Sequence, residues 1–374
     1  MPIRIAVLKE SRPAERRVAL VPGVIEKLTR LGATVSLQTG AGEASGMPDS
    51  AYRDVRFVES TAELVRDADI VLAVQAPSPE AIGAMPAGAT LISFIQAARE
   101  PALVKRLTER DLTCFAMERV PRTPRAQAMD ALSSQATLAG YHAVLLGATH
   151  LARILPRMTT AVGALRPATV LVMGLGVAGL QALATAHRLG AVVEGYDVRP
   201  ETREQALSVG ARFVDTGVDA RGPGGYAREL TDEEKKTVAG VITSHIQRAD
   251  LVVTTASVPG RTAPRLISRT QVMGMKPGAV IVDLAAESGG NCECTVPGET
   301  TRIGPVTLLA PLNAPSLVAE HASDLYARNL LNLLELLIRD GKLDPDWNDE
   351  IVAKTALVRA GALVDAAPGS AVAA

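Results

Sequence analysis

Three glycines and an aspartate carry the clearest chemical signal in this chain. Gly174, Gly176 and Gly179 stand in G-x-G-x-x-G spacing, directly after the apolar run TVLVM and directly before the helical run AGLQALATAHRLG. A second β-branched run, AVVEGY, follows and ends at Asp197. Strand, tight turn, helix, strand and acid, in that order, make up a dinucleotide-binding βαβ unit. Each residue type has a physical task there. Gly174 permits the sharp turn, Gly176 lets the main chain approach a pyrophosphate, and Gly179 lets the helix rest close to the strand. The helix N-terminus offers unpaired N–H groups and a positive dipole end to that pyrophosphate. Asp197 can accept both ribose hydroxyls of an adenosine and would repel a 2′-phosphate, which favours NAD(H) over NADP(H). Arg199 pulls the other way, because a guanidinium can accommodate that phosphate. The competing reading is a non-binding βαβ unit with incidental glycines.

The elements around this motif alternate between short β-branched runs and helical patterns. Strands are expected at 3–8, 34–37, 55–58, 70–74, 90–95 and 112–117, with helices at 23–30 and 102–109 among them. A second series places strands at 169–173, 192–196, 212–214, 251–255, 280–284 and 306–309, and helices at 178–189, 201–209 and 233–247. This rhythm predicts an α/β fold of two doubly wound, Rossmann-like parallel-sheet domains. Two long helices, 133–155 and 316–339, are apolar on most faces and are expected to join them. Domain 1 is then discontinuous, 1–135 plus 316–374, and domain 2 is 136–315. The tail 351–364 alternates weakly, like a hairpin turning at Ala360-Gly361. Residues 217–232 form a Gly-rich polar stretch with one aromatic, Tyr226, and read as a ligand-covering loop or a disordered one.

Composition removes several function classes. Of 374 residues, 47% are hydrophobic and 21% charged, which is globular. The net charge of -1 gives no electrostatic pull toward nucleic acid or an anionic bilayer, and 3% aromatics leave few stacking platforms. Three cysteines, with Cys292 and Cys294 at i, i+2, read as free thiols in a reducing compartment. The uncharged run 168–186 is long enough to suggest a membrane span, but its central glycines divide a strand-like half from a helix-like half. His142, His150, His187, His245 and His321 are scattered without metal-ligand spacing, so no metal is expected. Thr231-Asp-Glu-Glu234 reads as a helix start rather than a site.

Longer stretches carry a family resemblance. MERVPRTPRAQAMDALSSQATLAGY at 117–141 holds Arg122, Gln127, Asp130 and Ser133. With it go KESRPAERRVALVP at 9–22, GGYARE at 224–229, TTASVPG at 254–260 and VDLAAESGGNCECTVPGE at 282–299. Over nearly its whole length the chain resembles the NAD(H)-binding component (domain I, the alpha subunit or its separate first portion) of proton-translocating NAD(P) transhydrogenase. That superfamily also contains alanine dehydrogenase. The resemblance implies that Gly174, Gly176, Val177 and Gly179 line the pyrophosphate, and that Asp197, Val198 and Arg199 meet the adenosine ribose. It places Gly225 and Tyr226 on a mobile loop closing over the nucleotide, and Ser257 at a position where many relatives have Leu. Arg122, Thr123, Pro124, Arg125, Gln127, Asp130 and Ser133 would hold the nicotinamide and its ribose. Gln127 would bond a ribose hydroxyl, and Arg122 would pair with Asp130. Pro124 stands where relatives have Ser and stiffens that loop.

Alanine dehydrogenases need a proton donor and a carbonyl-polarising cation. They resemble this chain but place a Lys and a His where it has Gln75 and Gln96, which cannot exchange protons at neutral pH. Their carboxylate-binding Arg is matched by Arg17, and Glu287 stands for their Asp. Hydride transfer between two nicotinamides needs no acid or base, only alignment. The resemblance therefore implies a Si- to Re-face, proton-translocating transhydrogenase component. It would be a homodimer, cytoplasmic and peripheral on the inner face of the membrane. NADP(H) would be bound by a partner component, and a membrane subunit would carry the protons. An alanine dehydrogenase-like amino-acid dehydrogenase and a non-enzymatic NAD(H)-binding regulator are the rival expectations.

Overall fold

A computed structural model describes residues 2–218, 231–257 and 262–364. The chain opens with β1 (Ile3–Val7), α1 (Pro22–Arg30), β2 (Ala33–Gln38), β3 (Val55–Val58), α2 (Thr61–Val65), β4 (Ile70–Leu72), α3 (Pro79–Ala84), β5 (Thr90–Ser93), α4 (Pro101–Glu109), β6 (Thr113–Ala116) and α5 (Ala131–His150). It continues with β7 (Met158–Thr160), β8 (Gly163–Leu165), β9 (Thr169–Met173), α6 (Val177–Arg188), β10 (Val192–Tyr196), α7 (Thr202–Ser208), β11 (Arg212–Phe213), α8 (Asp232–Arg248), β12 (Leu251–Thr254), α9 (Arg269–Met273), β13 (Val280–Asp283), β14 (Thr300–Ile303) and β15 (Val306–Leu309). The last elements are α10 (Ala319–Leu337), β16 (Ile338–Arg339), β17 (Lys342–Leu343), α11 (Glu350–Thr355), β18 (Ala356–Arg359) and β19 (Ala362–Leu363). The chain forms two compact units, Met1–Gln135 with Ser316–Ala374, and Ala136–Pro315.

In the first unit the sheet order is β19-β18-β6-β5-β4-β1-β2-β3. Strands β1 to β6 run parallel, and the C-terminal hairpin β18–β19 adds antiparallel to β6. Strand alternation sends Ile3, Ile5 and Val7 into one apolar layer and Ala6 with Leu8 into the other. Both faces are thus buried, as a parallel sheet requires. Helix α10 places Tyr326, Leu330, Leu333, Leu334 and Leu337 in the first of these layers. In the second unit the order is β11-β10-β9-β12-β13-β15-β14, parallel except for β14. Val170 and Val172 pack on one face, Leu171 and Met173 on the other. The two doubly wound parallel sheets expected from the sequence are present, and in each the strand order reverses beside its first strand. Ligands of such sheets bind at that reversal, outside the carboxyl ends of the strands.

Two local expectations need correction, and two further features have no expectation from the sequence. Residues 351–355 are helical, because Asp349 caps α11 by accepting from the N–H groups of Ile351 and Val352 at 2.8 and 3.4 Å; only β18 and β19 form the hairpin. The long helix expected at 133–155 is α5 and ends at His150. Residues 158–165 form the small antiparallel hairpin β7–β8, exposed throughout, for which the sequence pattern gives no expectation. Strand β14 is likewise absent from the expected series. Among the described residues, no helix is long and apolar enough to cross a membrane.

Candidate functional site

The glycine motif sits where the reversal rule places a ligand. Strand β9 is a β-branched run buried over Val170–Met173, and it ends at Gly174 with φ +93°. A side chain there would lie 2.8 Å from the Ala256 nitrogen, so only glycine makes this turn. Thr255, just past β12, closes the turn by donating to the Gly174 carbonyl at 2.8 Å. Gly179 is tighter still, since a Cβ there would meet the Gly174 oxygen at 1.8 Å. Helix α6 therefore rests directly on the end of β9. Gly176 is different: it is the N-cap of α6, no side chain caps the helix there, and no atom lies within 4 Å of where its Cβ would be. The first-turn N–H groups thus border open space. This cradle fits the pyrophosphate of a dinucleotide.

Asp197 follows β10 and is nearly buried. Its carboxylate accepts from the Leu175 N–H at 2.7 Å, tying it to the glycine turn. It also accepts from the Arg199 N–H at 2.9 Å, and from Arg199 Nε and Nη2 at 3.0 Å each. The sequence sets Asp197 and Arg199 against each other as specificity signals. In the structure they form one bidentate pair, and Asp197 raises the Arg199 pKa further above its ordinary value through that hydrogen bond. Val198 is exposed beside them, as are Val177 at the start of α6 and Ser257. A cavity of about 730 Å³ is lined by Met173 and Tyr196, the residues immediately before Gly174 and Asp197, and by Val238, Ile242 and Gln271. Gly225 and Tyr226 lie outside the described residues. Thr231 and Glu234 form the capping box expected for α8.

In the first unit, Pro124 opens a 3-10 turn, Pro124–Met129, where its fixed φ suits a first helical position. Ala126 and Met129 are buried, whereas Arg122, Arg125 and Gln127 are exposed. Asp130 does not pair with Arg122. Its carboxylate instead accepts from the Ser133 N–H at 2.9 Å and the Ser133 hydroxyl at 2.6 Å, capping α5. A cap three residues away leaves both carboxylate oxygens engaged at little entropic cost, and it wins over a flexible arginine eight residues back. Arg125 is drawn to Asp349. Arg122, Gln127, Asp130 and Ser133 are therefore brought to one loop and helix start.

A buried polar network in the same unit joins Arg17 and Gln75, which match alanine dehydrogenase site positions, to Glu15 and Gln135, and includes none of the residues expected to hold the nucleotide. Arg17 is 3% exposed and grips Glu15 through Nε at 2.8 Å and Nη2 at 2.6 Å. Its Nη1 donates to Gln135 at 2.8 Å, and Gln75 donates to Glu15 at 2.9 Å. Burial alone would raise the Glu15 carboxyl, but Arg17 and Gln75 hold it down to about 2. Burial pushes Glu10 up to about 7, although it accepts from the Val74 and Gln75 N–H groups. Glu10 lines a second cavity of about 320 Å³ with Lys9, Arg12 and Gln75. Charged residues inside the apolar run ERRVALVP were the available signal, but their partner Gln135 lies 118 positions away. Gln96 is exposed, and Glu287 accepts from the Asn313 N–H. Among the described residues, no three His, Cys, Asp or Glu side chains converge as metal ligands.

Comparison with known proteins agrees with this architecture. Residues 6–139 match the N-terminal domain, and 143–366 the C-terminal domain, of alanine dehydrogenase/PNT. The chain is 43% identical to the separate first portion of the NAD(P) transhydrogenase alpha subunit of Rhodospirillum rubrum, over 97% of this chain and 98% of that protein. It is 32% identical to alanine dehydrogenase of Mycobacterium tuberculosis, over 79% and 76%. Among solved structures, a transhydrogenase from Sinorhizobium meliloti superimposes with a TM-score of 0.85 at 41% identity, covering 96% of this chain and 98% of that one. An L-alanine dehydrogenase does so with 0.82 at 26% identity, covering 97% of each. With both domain models matched in order and a transhydrogenase subunit aligned end to end, the chain belongs to the alanine dehydrogenase/PNT family, on its NAD(P) transhydrogenase alpha-subunit branch.

Proposed function

We propose that this chain binds NAD(H) and presents it to an NADP(H)-binding partner component of a proton-translocating transhydrogenase. The observation that carries the reading is the uncapped start of α6 beside Gly176, with Asp197 at the end of the next strand. When bound, NADH supplies the hydride that NADP⁺ on the partner accepts. The chain's own residues bind and align. Gly174 and Gly179 shape the turn, the first N–H groups of α6 hold the pyrophosphate, and Asp197 takes the adenosine ribose. Gln127 bonds the nicotinamide ribose, while Asp130 and Ser133 fix the start of α5 beside it. Tyr226 belongs to the loop that closes over the nucleotide. The component is a homodimer, is held at the inner face of the membrane by its partner subunits, and serves the Si- to Re-face reaction.

The amino-acid dehydrogenase reading is disfavoured by the buried network. Arg17 is buried with all three of its nitrogens engaged by Glu15 and Gln135, so a substrate carboxylate would have to displace part of that network to be gripped by it. Gln75 donates to Glu15 and offers no exchangeable acid. A regulator reading leaves the exposed Gln127 loop without a task. The test mixes the purified chain with a recombinant NADP(H)-binding component and follows hydride exchange between NADH and an NADP⁺ analogue. Exchange is expected only with both present, and Gln127→Asn should slow it with NADH affinity nearly intact. Robust turnover of pyruvate, ammonia and NADH by the chain alone would overturn the proposal.

A further inference from the structure

The loop bearing Arg122, Gln127 and Asp130 is fixed by a side chain outside it. Ala126 and Met129 anchor it in the apolar layer that also contains Tyr326 and Leu330. Gln127 and Ala128, between those anchors, are exposed. Apolar packing sets the depth of the turn, and its own backbone bonds, such as the Asp130 N–H to the Gln127 carbonyl at 3.2 Å, set its local shape. Asn329 on α10 ties that turn to the start of α5. It is 6% exposed, and its Nδ2 donates to the Ala128 carbonyl at 2.8 Å. Its Oδ1 accepts from the Ser134 hydroxyl at 2.8 Å. Ala128 follows Gln127, and Ser134 follows Ser133, the partner of Asp130. One amide thus holds the loop's exit and the helix's entry together. Carrying a donor and an acceptor on one short planar group is what an asparagine supplies. Asn332, one turn on, reaches the Ala128 oxygen only at 3.4 Å and donates to Arg328 at 2.7 Å, so it cannot replace the clamp. Ser134 also receives Gln135 Nε2 at 3.2 Å, which links the clamp to the buried Arg17–Glu15 pair.

We infer that Asn329 is a positioning residue for hydride transfer, setting the register of Gln127 against Asp130 and Ser133 without touching the nucleotide. The inference rests on the assignment of Gln127 and Asp130 to the nicotinamide end. Reaction between two rings tolerates little misalignment, whereas the glycine turn and Asp197, the groups assigned to the pyrophosphate and the adenosine ribose, belong to the other unit and are not held by Asn329. Loss of the clamp should therefore lower the transfer rate and spare binding.

The experiment compares Asn329→Leu, which keeps the volume without the hydrogen bonds, with Asn329→Asp, which keeps the acceptor for Ser134 but loses the donor to Ala128. Ser134→Ala removes the other arm, and Gln127→Asn serves as the control for the loop's role. Each full-length variant is mixed with the NADP(H)-binding component. The first-order exchange rate, the NADH Kd and the melting temperature are recorded well below melting. Both Asn329 variants should exchange about tenfold more slowly with Kd within about twofold, and Ser134→Ala should fall between them and the unaltered chain. Unaltered rates with a lowered melting temperature would make Asn329 a stability residue and overturn the inference. If Asn329→Leu does not fold, Asn329→Asp and Ser134→Ala decide on the same criteria. If Gln127→Asn slows exchange and the Asn329 variants do not, only the clamp is wrong. If Gln127→Asn has no effect, the assignment of the loop to the nicotinamide is wrong, and the inference falls with it.

Discussion

Asp197 gives the sharpest quantitative expectation. Four donors already converge on its carboxylate: the N–H groups of Leu175 and Arg199, and the Arg199 Nε and Nη2, all within 2.7–3.0 Å. A carboxylate offers about four acceptor directions, so a ribose diol can bind only if the guanidinium fork lets go. The Arg199 side chain is 41% exposed, so its release costs about 1 kcal/mol or less. Each ribose hydroxyl on a charged acceptor returns about 1.5–3 kcal/mol. Binding wins, and the two variants should move in opposite directions. Asp197→Asn should weaken NADH by about 2 kcal/mol, roughly thirtyfold, and narrow the preference over NADPH. Arg199→Ala removes the competitor and should tighten NADH by up to about fivefold while weakening NADPH. Fluorescence titration of both reduced nucleotides on the three proteins measures this. Arg199→Ala weakening NADH tenfold would show that the guanidinium is itself a nucleotide contact, and the competition argument would be refuted.

Two glycines separate fold from function. Gly176→Ala meets open space at a φ of -77°, so unfolding stability should stay within about 1 kcal/mol while NADH binding drops more than tenfold. Gly179→Ala drives a methyl into the Gly174 oxygen and should cost about 3 kcal/mol in denaturant melts; a neutral result would mean α6 does not rest on β9. Glu10, with a folded pKa of about 7 against 4.5, binds its proton more tightly in the native state. Stability should therefore fall by up to about 3 kcal/mol as pH rises from 4.5 through 7, and Glu10→Gln should flatten that slope. Glu15, held at about 2, works in the opposite sense, and its contribution disappears as pH falls from 4.5 toward 2. Glu10→Gln should also leave the hydride-exchange rate unchanged at pH 6–8, because alignment rather than proton relay sets that rate.

What the sequence made legible was what depends on spacing. The glycine turn, the strand alternation and the capping box at Thr231 are encoded within a few residues, and they read directly. Contacts closed over long separations did not. Arg17 meets Gln135 across 118 positions, and Asn329 meets Ala128 across 201. No periodicity marks either. Where a local interaction competes with a distant one, the local one decided the outcome: Asp130 capped α5 through Ser133 instead of reaching Arg122, and Asp349 turned an alternating stretch into α11. Alternation over 351–355 was a weak strand signal beside an aspartate cap, and the cap was the better guide. Asp197 and Arg199 show a different limit. Their residue types argue opposite specificities in sequence, and only geometry reveals them as one ion pair.

Single-turnover mixing of the NADH-loaded chain with the NADP⁺-loaded partner component tests most directly the proposal that this chain aligns a nicotinamide for a second nucleotide without proton chemistry of its own. Rapid exchange is expected, with a rate constant that is flat from pH 6 to pH 8, and no oxidation of NADH by pyruvate and ammonia. A rate that follows a single ionisation in that range, or pyruvate-dependent oxidation without the partner, would contradict it.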